Sequence, residues 1–314
     1  MSSGGGLKNY IKNPGLFFSH LHRKLAIIGF YRWMPDKMFL KMDYKKCMKR
    51  ELNLKNPQTY NEKLQWLKLY DRNPLYTTMV DKQEVKKYVA DIIGEEYIIP
   101  TIEVWDKFEE IDFDDLPDQF VLKCTHDSGG LAICRDKETF NIEKACAAIK
   151  KSLKQNYFWN RREWPYKNVK PRIIAEQYME DAETAELRDY KFFTFNGECK
   201  LLFVASERQS KNAETKFDFF DMDYNHLDFR NGHPNADTWP AKPKCFDEMR
   251  VLAEKLSKGI PHLRVDFYEV NGKVYFGELT FFHWSGMVPF EPEEWDKILG
   301  DWITLPDRKE KNNG

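Results

Sequence analysis

An arginine and an aspartate two residues apart, Arg264 and Asp266, stand in the apolar run LRVDFYEV. A glutamate, Glu278, follows twelve residues beyond that aspartate in VYFGELTFF. Charges set into apolar β-structure must be paired or hold a metal, because an unpaired buried ion is too costly to keep. Carboxylate oxygens suit Mg²⁺, which takes one or two carboxylates and completes its shell with substrate phosphates. A surface pair of Arg264 and Asp266, with Glu278 in solvent, accounts for the same letters without chemistry. Three lysines occupy comparable settings upstream. Lys82 follows Asp81 at the start of a helical pattern, Lys123 closes the apolar strand FVLKC, and Lys191 shares a strand face with Asp189. After Lys123 come His126, Ser128, Gly129 and Gly130, a loop able to lay backbone N–H groups over phosphates. Cations, two carboxylates and a backbone cradle are the parts that handle a nucleoside triphosphate with Mg²⁺. The chain has no GxxxxGK[ST], and no GxGxxG after a strand.

These side chains need particular elements to position them. Leu263 to Phe282 reads as two strands around an Asn271-Gly272 turn, a strong hairpin signal. Alternation puts Leu263, Val265 and Phe267 on one face and Arg264 with Asp266 on the other. In the second strand Val274, Phe276, Glu278 and Thr280 share a side. A strict two-residue turn pairs Val270 with Lys273, which places Asp266 and Glu278 on opposite faces. A shared metal therefore requires a one-residue offset, and Gly277 is a natural bulge residue. A second hairpin, LRDYKFFTFNGECKLLFVAS, turns at Asn196-Gly197. A helix capped by Asp81 and Glu84 and ended by Gly94 buries Val85, Val89 and Ile92. A helix after Asn61, another over Ile142–Lys154 and a third over Phe246–Lys258 complete the regular structure, while 207–244 reads as irregular.

At 314 residues, 42% hydrophobic and 32% charged, the chain has material for two or three modest domains. No run is long enough to span a membrane, no cleavable signal pattern occurs, and six cysteines without CxxC spacing fit a reducing cytoplasm. The net charge of −1 argues against nucleic acid as a partner. It hides a local excess, since eleven Lys/Arg and two acids lie between Lys8 and Arg50, interleaved with Phe17, Phe18, Leu21, Ile28, Phe30 and Trp33. Residues 8–50 fit contact with an anionic membrane, and also fit, as the simpler reading, a helix packed on the body with its basic face in water. The opening MSSGGG and the tail 303–314 read as disordered.

The order of these residues resembles the ATP-grasp family, which includes the D-alanine–D-alanine ligases. The resemblance lies in Asp81-Lys82 before a helix, Lys123 before its glycine loop, and IIAEQYM, with Glu176, Gln177, Tyr178 and Met179. It ends on Arg264, Asp266, Glu278 and Thr280, where R-x-D and E-x-N are usual. The wording from Asn56 to Trp302 is similar to the TupA-like branch, associated with bacterial surface-polysaccharide biosynthesis. That resemblance implies an α+β ATP-grasp fold. Its parts would be a basic helical region (1–75), a first segment (76–118), a nucleotide lid (119–176), a metal-bearing catalytic unit (177–302) and the tail. It implies ATP and Mg²⁺ as cofactors, with Asp266, Glu278 and Thr280 at the metal. Lys82, Lys123, His126, Ser128, Gly129, Gly130 and Glu176 to Met179 would bind nucleotide, and Arg264, Lys191 and Asp189 would serve catalysis. Thr280 replaces the usual Asn, and the ribose acid falls among Asp181, Glu183 and Glu186, with Glu183 taken here. The implied reaction joins a small-molecule amine or amino acid to a carboxylate, on a sugar or lipid-linked carbohydrate, in the cytoplasm or at the inner membrane face. Alternatives are a phosphotransferase on the same fold, a nucleotide-binding scaffold, and a glycosyltransferase using Asp221-Met222-Asp223 as a DxD.

Overall fold

The computed structural model describes residues 14–182, 187–206 and 214–307. The N-terminal region is helical, with α1 (Pro14–Ile27), α2 (Asp36–Met48), α3 (Tyr60–Tyr70), α4 (Leu75–Val80) and α5 (Glu84–Ile93). Thr59, not Asn61, caps α3: its hydroxyl accepts from the Glu62 N–H while the Glu62 carboxylate accepts from Thr59 N–H. The Asn61 amide donates instead to Val288 O and Asp296, fastening α3 to the C-terminal part of the chain. α5 also begins later than expected. Asp81 accepts from the Gln83 N–H at 2.9 Å, but Glu84 turns to Arg172, so Lys82 lies in the turn before the helix. Its buried stripe is Val85, Val89 and Ile93; Ile92 points outward. That stripe follows the four-residue helical step.

A small antiparallel sheet contains β1 (Thr101–Trp105), β2 (Phe120–Cys124), β3 (Leu131–Cys134) and β4 (Ile173–Gln177), in the order β1-β4-β2-β3. α6 (Ile142–Leu153) lies against one face and closes a core of Phe120, Leu122, Cys124, Ala145, Ile149, Ile173 and Ala175. The other face carries Val121, Lys123 and Glu176 toward the larger sheet. Because β1 belongs to this sheet, the small unit recruits chain from before residue 119. The aromatic stretch after α6 contains a short helical turn, α7 (Phe158–Arg161), and a 3-10 turn over Trp164–Asn168.

The larger sheet contains β5 (Asp189–Phe195), β6 (Glu198–Ser206), β7 (Lys216–Asp221), β8 (His226–Leu227), β10 (His262–Val270) and β11 (Lys273–Thr280), ordered β11-β10-β5-β6-β7-β8. β9 (Arg230–Asn231) pairs with β12 (Phe290–Glu291) beside it. α8 (Phe246–Leu256) buries Met249, Leu252, Ala253 and Leu256, and α9 (Glu294–Trp302) packs on α3. β7 is a departure, since 207–244 reads as irregular. Phe217 and Phe219 pack on Phe203, with ring centroids at 4.4 and 5.2 Å. Asp218 between them is buried but accepts from the Ala236 N–H at 3.1 Å. A buried polar residue inside a strand, here bonded through Oδ1 alone, hides that strand from a hydropathy pattern. The tail is ordered at its start: Ile303 is buried, and its carbonyl accepts from Lys63 at 2.8 Å. The opening residues 1–13 and the tail beyond 307 lie outside the described residues.

Candidate active site

Both hairpin tips have the left-handed conformations their Asn-Gly pairs call for, with φ of 53° and 87° at Asn196-Gly197 and 52° and 74° at Asn271-Gly272. Between the tip and the charged residues the register of β10 and β11 slips by one. Phe267 pairs with Phe276, Asp266 with Glu278 and Arg264 with Thr280, leaving Gly277 unpaired. The offset anticipated from the sequence is present. It also corrects the face assignment, because an extra residue reverses the alternation beyond it. Glu278 and Thr280 therefore lie with Arg264 and Asp266, opposite Val274 and Phe276. A Cβ on Gly277 would lie 3.0 Å from the Asp266 carbonyl oxygen, so the bulge is closely packed.

Next door on β5, Lys191 pairs with Asp266 and Asp189 with Tyr268, bringing both onto the same face. Arg264 is the hub. Its guanidinium donates to both Asp266 oxygens at 2.7 Å, to Glu278 Oε1 at 2.7 Å and to His283 Nδ1 at 2.9 Å. Lys191 Nζ ion-pairs with Asp266 and lies 3.5 Å from Asp189. Burial by itself would raise the Asp266 pKa, but Arg264 and Lys191 outweigh it and hold the carboxyl down at about 2. Glu278 contrasts with it: its side chain is 45% exposed against 1% for Asp266. Thr280 Oγ1 donates to Glu278 Oε1 at 3.3 Å. His283 is buried, with Nε2 3.0 Å from Asn231 Oδ1. The Asn231 amide nitrogen donates to Val288 O and Pro289 O, so its oxygen faces the ring. His283 then donates from Nε2 and accepts from Arg264 at Nδ1. Burial and the Arg264 charge keep its pKa well below the usual imidazole range.

The facing wall comes from β2 and β4. Glu176 accepts from Lys123 at 2.5 Å and from Lys86 at 2.6 Å. Burial pushes its pKa up, and the two ammonium groups more than reverse that. Lys86 escaped the sequence reading, although its position one helical turn after Lys82 was the available signal. Between the two sheets a cavity of about 490 Å³ is lined by Lys123, Glu176, Gln177, Tyr178, Met179, Asp189 and Tyr268. Its apolar walls include Val121, Leu131, Ile133 and Leu187.

The glycine loop is partly structural. Lys82 is half-buried and donates to Cys124 O at 3.0 Å and to Asp127 O. Burial lowers its pKa. Asp127 accepts from the Gly130 N–H at 3.1 Å and from Ser152 Oγ, and Gly130 packs where a Cβ would strike Cys124. The His126 ring is turned into the body, its Nε2 at 3.2 and 3.1 Å from Ser152 O and Gln155 O. Only Ser128 and Gly129 of that loop are exposed. Asp181 accepts from the Asn271 N–H at 2.9 Å and so secures the hairpin turn. Glu183 and Glu186 lie outside the described residues. Asp221 of the DxD accepts from the backbone N–H groups of Asp223 and Asn225 at 2.9 and 2.8 Å, capping its own turn.

Among the described residues, no three His, Cys, Asp or Glu side chains gather as a metal cluster.

A family model described as TupA-like ATPgrasp matches residues 62–304. No curated protein matches the chain. Among solved structures it is similar to D-alanine–D-alanine ligase from Bacillus anthracis complexed with ATP, at 15% identity and a TM-score of 0.37, covering 65% of this chain and 54% of that one. It is similar also to D-alanyl-alanine synthetase A from Vibrio cholerae, at 13% identity and a TM-score of 0.39, covering 77% of this chain and 62% of that one. The chain thus spans less than two thirds of the length of either.

Proposed function

Since the chain belongs to the TupA-like ATP-grasp family and has its α+β fold, we propose that it is an ATP- and Mg²⁺-dependent ligase. It joins a carboxylate to an amine through an acyl phosphate during assembly of a bacterial cell-surface polysaccharide. The observation that carries this reading is the pairing of Asp266 with Glu278 across the Gly277 bulge, beside Lys191 and Arg264 and next to a cleft with apolar walls. The residues fit Mg²⁺: the donors are hard oxygens, one carboxylate is buried and ionised, and the other is partly exposed. Bound there, the ion supplies neutralisation of phosphate oxygens. The adenine lies between the apolar walls along Gln177 to Met179, and Lys123 and Lys86 hold phosphate oxygens from the Glu176 side. Ser128 and Gly129 cover the phosphates and exclude water, which would otherwise hydrolyse an acyl phosphate.

Two anions must meet for reaction to begin, so the work of this chain is to screen and orient them. The substrate carboxylate attacks the γ-phosphorus, the bond to the β-phosphate oxygen breaks, and ADP leaves. The amine then attacks the acyl carbon, loses a proton, and expels phosphate. Arg264 and Lys191 stabilise the negative charge that develops in both steps. Arg264 is held for that by Asp266 below and by the neutral His283 beside it. Asp189, at the cleft, orients Lys191. The acceptor carries a sugar or uronic acid, with the amine from an amino acid or similar small molecule, and a lipid-linked acceptor places the reaction at the inner face of the membrane.

The test is Mg²⁺-dependent ADP release across panels of amino acids and uronic-acid sugars, with mass spectrometry of the product. An amide with stoichiometric ADP and phosphate supports the ligase. A phosphorylated product without an amide establishes phosphotransfer instead. ATP binding with no ADP release under any pairing leaves a scaffold.

A further inference from the structure

The basic N-terminal segment is not absorbed by this chemistry, and its packing is unusual. Its two acids point inward. Asp36 ion-pairs with Arg162 at 3.0 Å and Arg72 at 3.7 Å, and Asp43 with His22 at 3.2 Å and Arg161 at 3.5 Å. Phe39, Leu40 and Tyr44 of α2 are fully buried beside them. Arg162 donates to Tyr31 O at 2.7 Å and lies over the Phe39 and Trp159 rings, so the turn between α1 and α2 is firmly docked. The opposite side of α2 presents Lys37, Met38, Lys41, Met42, Lys45 and Lys49, spaced as one helical face and exposed along its length. The adjoining turn exposes Ile28 (71%), Phe30 (58%) and Trp33 (70%).

Six of the fifteen exposed large apolar side chains among the described residues fall between Leu21 and Met42, which rules out random scatter as their explanation. Lysines accompany them at each step. Lys37, Lys41 and Lys55 line one hollow of about 330 Å³, and none has an acidic partner among the described residues. On the same face Lys45 pairs with Glu51, while the three lysines of the hollow are left to solvent. Exposed aromatic and aliphatic residues in the same segment as Lys37 and Lys41, which lack an acidic partner among the described residues, match the boundary of a bilayer, apolar below and anionic phosphate above.

We propose that this outer face is a peripheral docking surface for an anionic phospholipid bilayer. Ile28, Phe30 and Trp33 enter the acyl boundary, and Lys37, Lys41 and Lys55 take lipid phosphates in their shared hollow. α2 is already formed and packed on the body, so docking need not order a helix and the cost of coupled folding is avoided. The inference goes beyond the proposed reaction and does not rest on it.

The experiment is co-sedimentation of the full chain with vesicles of phosphatidylcholine alone and of equal parts phosphatidylcholine and phosphatidylglycerol, at low and high salt. The chain sediments with the anionic vesicles, less so at high salt, and stays in solution with the neutral ones. Each lysine near an anionic surface contributes about fivefold to the partition coefficient, so replacing Lys37, Lys41 and Lys55 by Ala lowers it on the order of a hundredfold. Phe30→Ser with Trp33→Ser removes the binding that survives high salt. Thermal melts and ADP release with soluble substrates stay unchanged in both variants, since no residue of the cleft is altered. That readout separates failure of docking from failure of the ligase reading. No sedimentation with anionic vesicles at low salt overturns the proposal, as does binding that both variants retain. Concentration-dependent self-association lost in Phe30→Ser/Trp33→Ser, without lipid binding, assigns the face to a second copy of the chain and overturns it too.

Discussion

Asp266 and Glu278 stand opposite one another, yet their replacement by amides has different expected consequences. Asp266 is fully buried and shared between Arg264 and Lys191. Asp266→Asn leaves a guanidinium and an ammonium group buried beside a neutral amide. Lowering a carboxyl from 3.8 to about 2 corresponds to roughly 2–3 kcal/mol in favour of the ionised form. Breaking a buried pair by removing one partner costs about 3–5 kcal/mol. Urea unfolding of Asp266→Asn is therefore expected to lose a large part of the stability of the domain, about 3 kcal/mol. Glu278 is 45% exposed on its side chain, and its pairing with Arg264 is worth about 0–1 kcal/mol. Glu278→Gln should unfold almost as the parent does. Both variants lose Mg²⁺-dependent ADP release, by about a hundredfold or more, if the two carboxylates share the ion. The same two readouts on both proteins decide the matter. Full activity in either variant refutes the shared site, and an Asp266→Asn protein as stable as the parent refutes the buried cluster.

Lys123→Met and Lys86→Met should each raise the ATP dissociation constant several-fold in calorimetry, because each removes one ammonium group from the Glu176 wall; unchanged affinity takes that lysine out of the phosphate site. Gly277→Ala should cost about 1–3 kcal/mol in a thermal melt and slow ADP release on the order of a hundredfold, since its Cβ meets the Asp266 carbonyl at 3.0 Å. A normal rate there would show that the bulge does not set the geometry. Asp266 also fixes a pH limb. Its folded pKa is depressed, so the stability it contributes is present above about pH 4 and is lost as pH falls through about 2; acid unfolding of Asp266→Asn should lack that limb. Asn231→Asp offers His283 a carboxylate, favours the imidazolium and sets a second cation against Arg264. ADP release should then fall toward low pH where the parent profile is flat, and an unshifted profile removes His283 as a positioning residue.

Much of this site was legible because its letters conflict with their surroundings. Arg264, Asp266 and Glu278 interrupt apolar strands, and the Asn-Gly turns fix where those strands begin. Even the bulge followed from counting, since two carboxylates on one ion cannot be reconciled with an even register across that turn. The side assigned to Glu278 did not follow, because alternation counted from Val274 is reversed by a single extra residue. His126 illustrates another limit. A polar loop with glycines announces a turn, but nothing local decides which side chain faces outward. Its ring direction is set by the carbonyls of Ser152, in α6, and Gln155, just past the end of that helix. Asn231 was beyond reach for the same reason, as its role depends on Val288 and Pro289 holding its amide. β7 escaped because buried Asp218 broke an otherwise aromatic strand.

The wiring of the charges explains why the predicted outcomes divide as they do. Lys86 and Lys123 converge on Glu176, while Lys191 and Arg264 converge on Asp266, with Glu278 and Asp189 at the edge. Each wall of the cleft is thus close to balanced, which is how so many ionised groups remain folded in partly apolar surroundings. A triphosphate entering such a site exchanges partners with the carboxylates instead of meeting bare cations. Its affinity is a difference between two sets of ion pairs, so the loss of one lysine is cushioned by its neighbour. The loss of a central carboxylate is not cushioned, because two cations lose their common partner at once. On this argument lysine substitutions are read chiefly in binding, and the Asp266 substitution in folding as well as in rate.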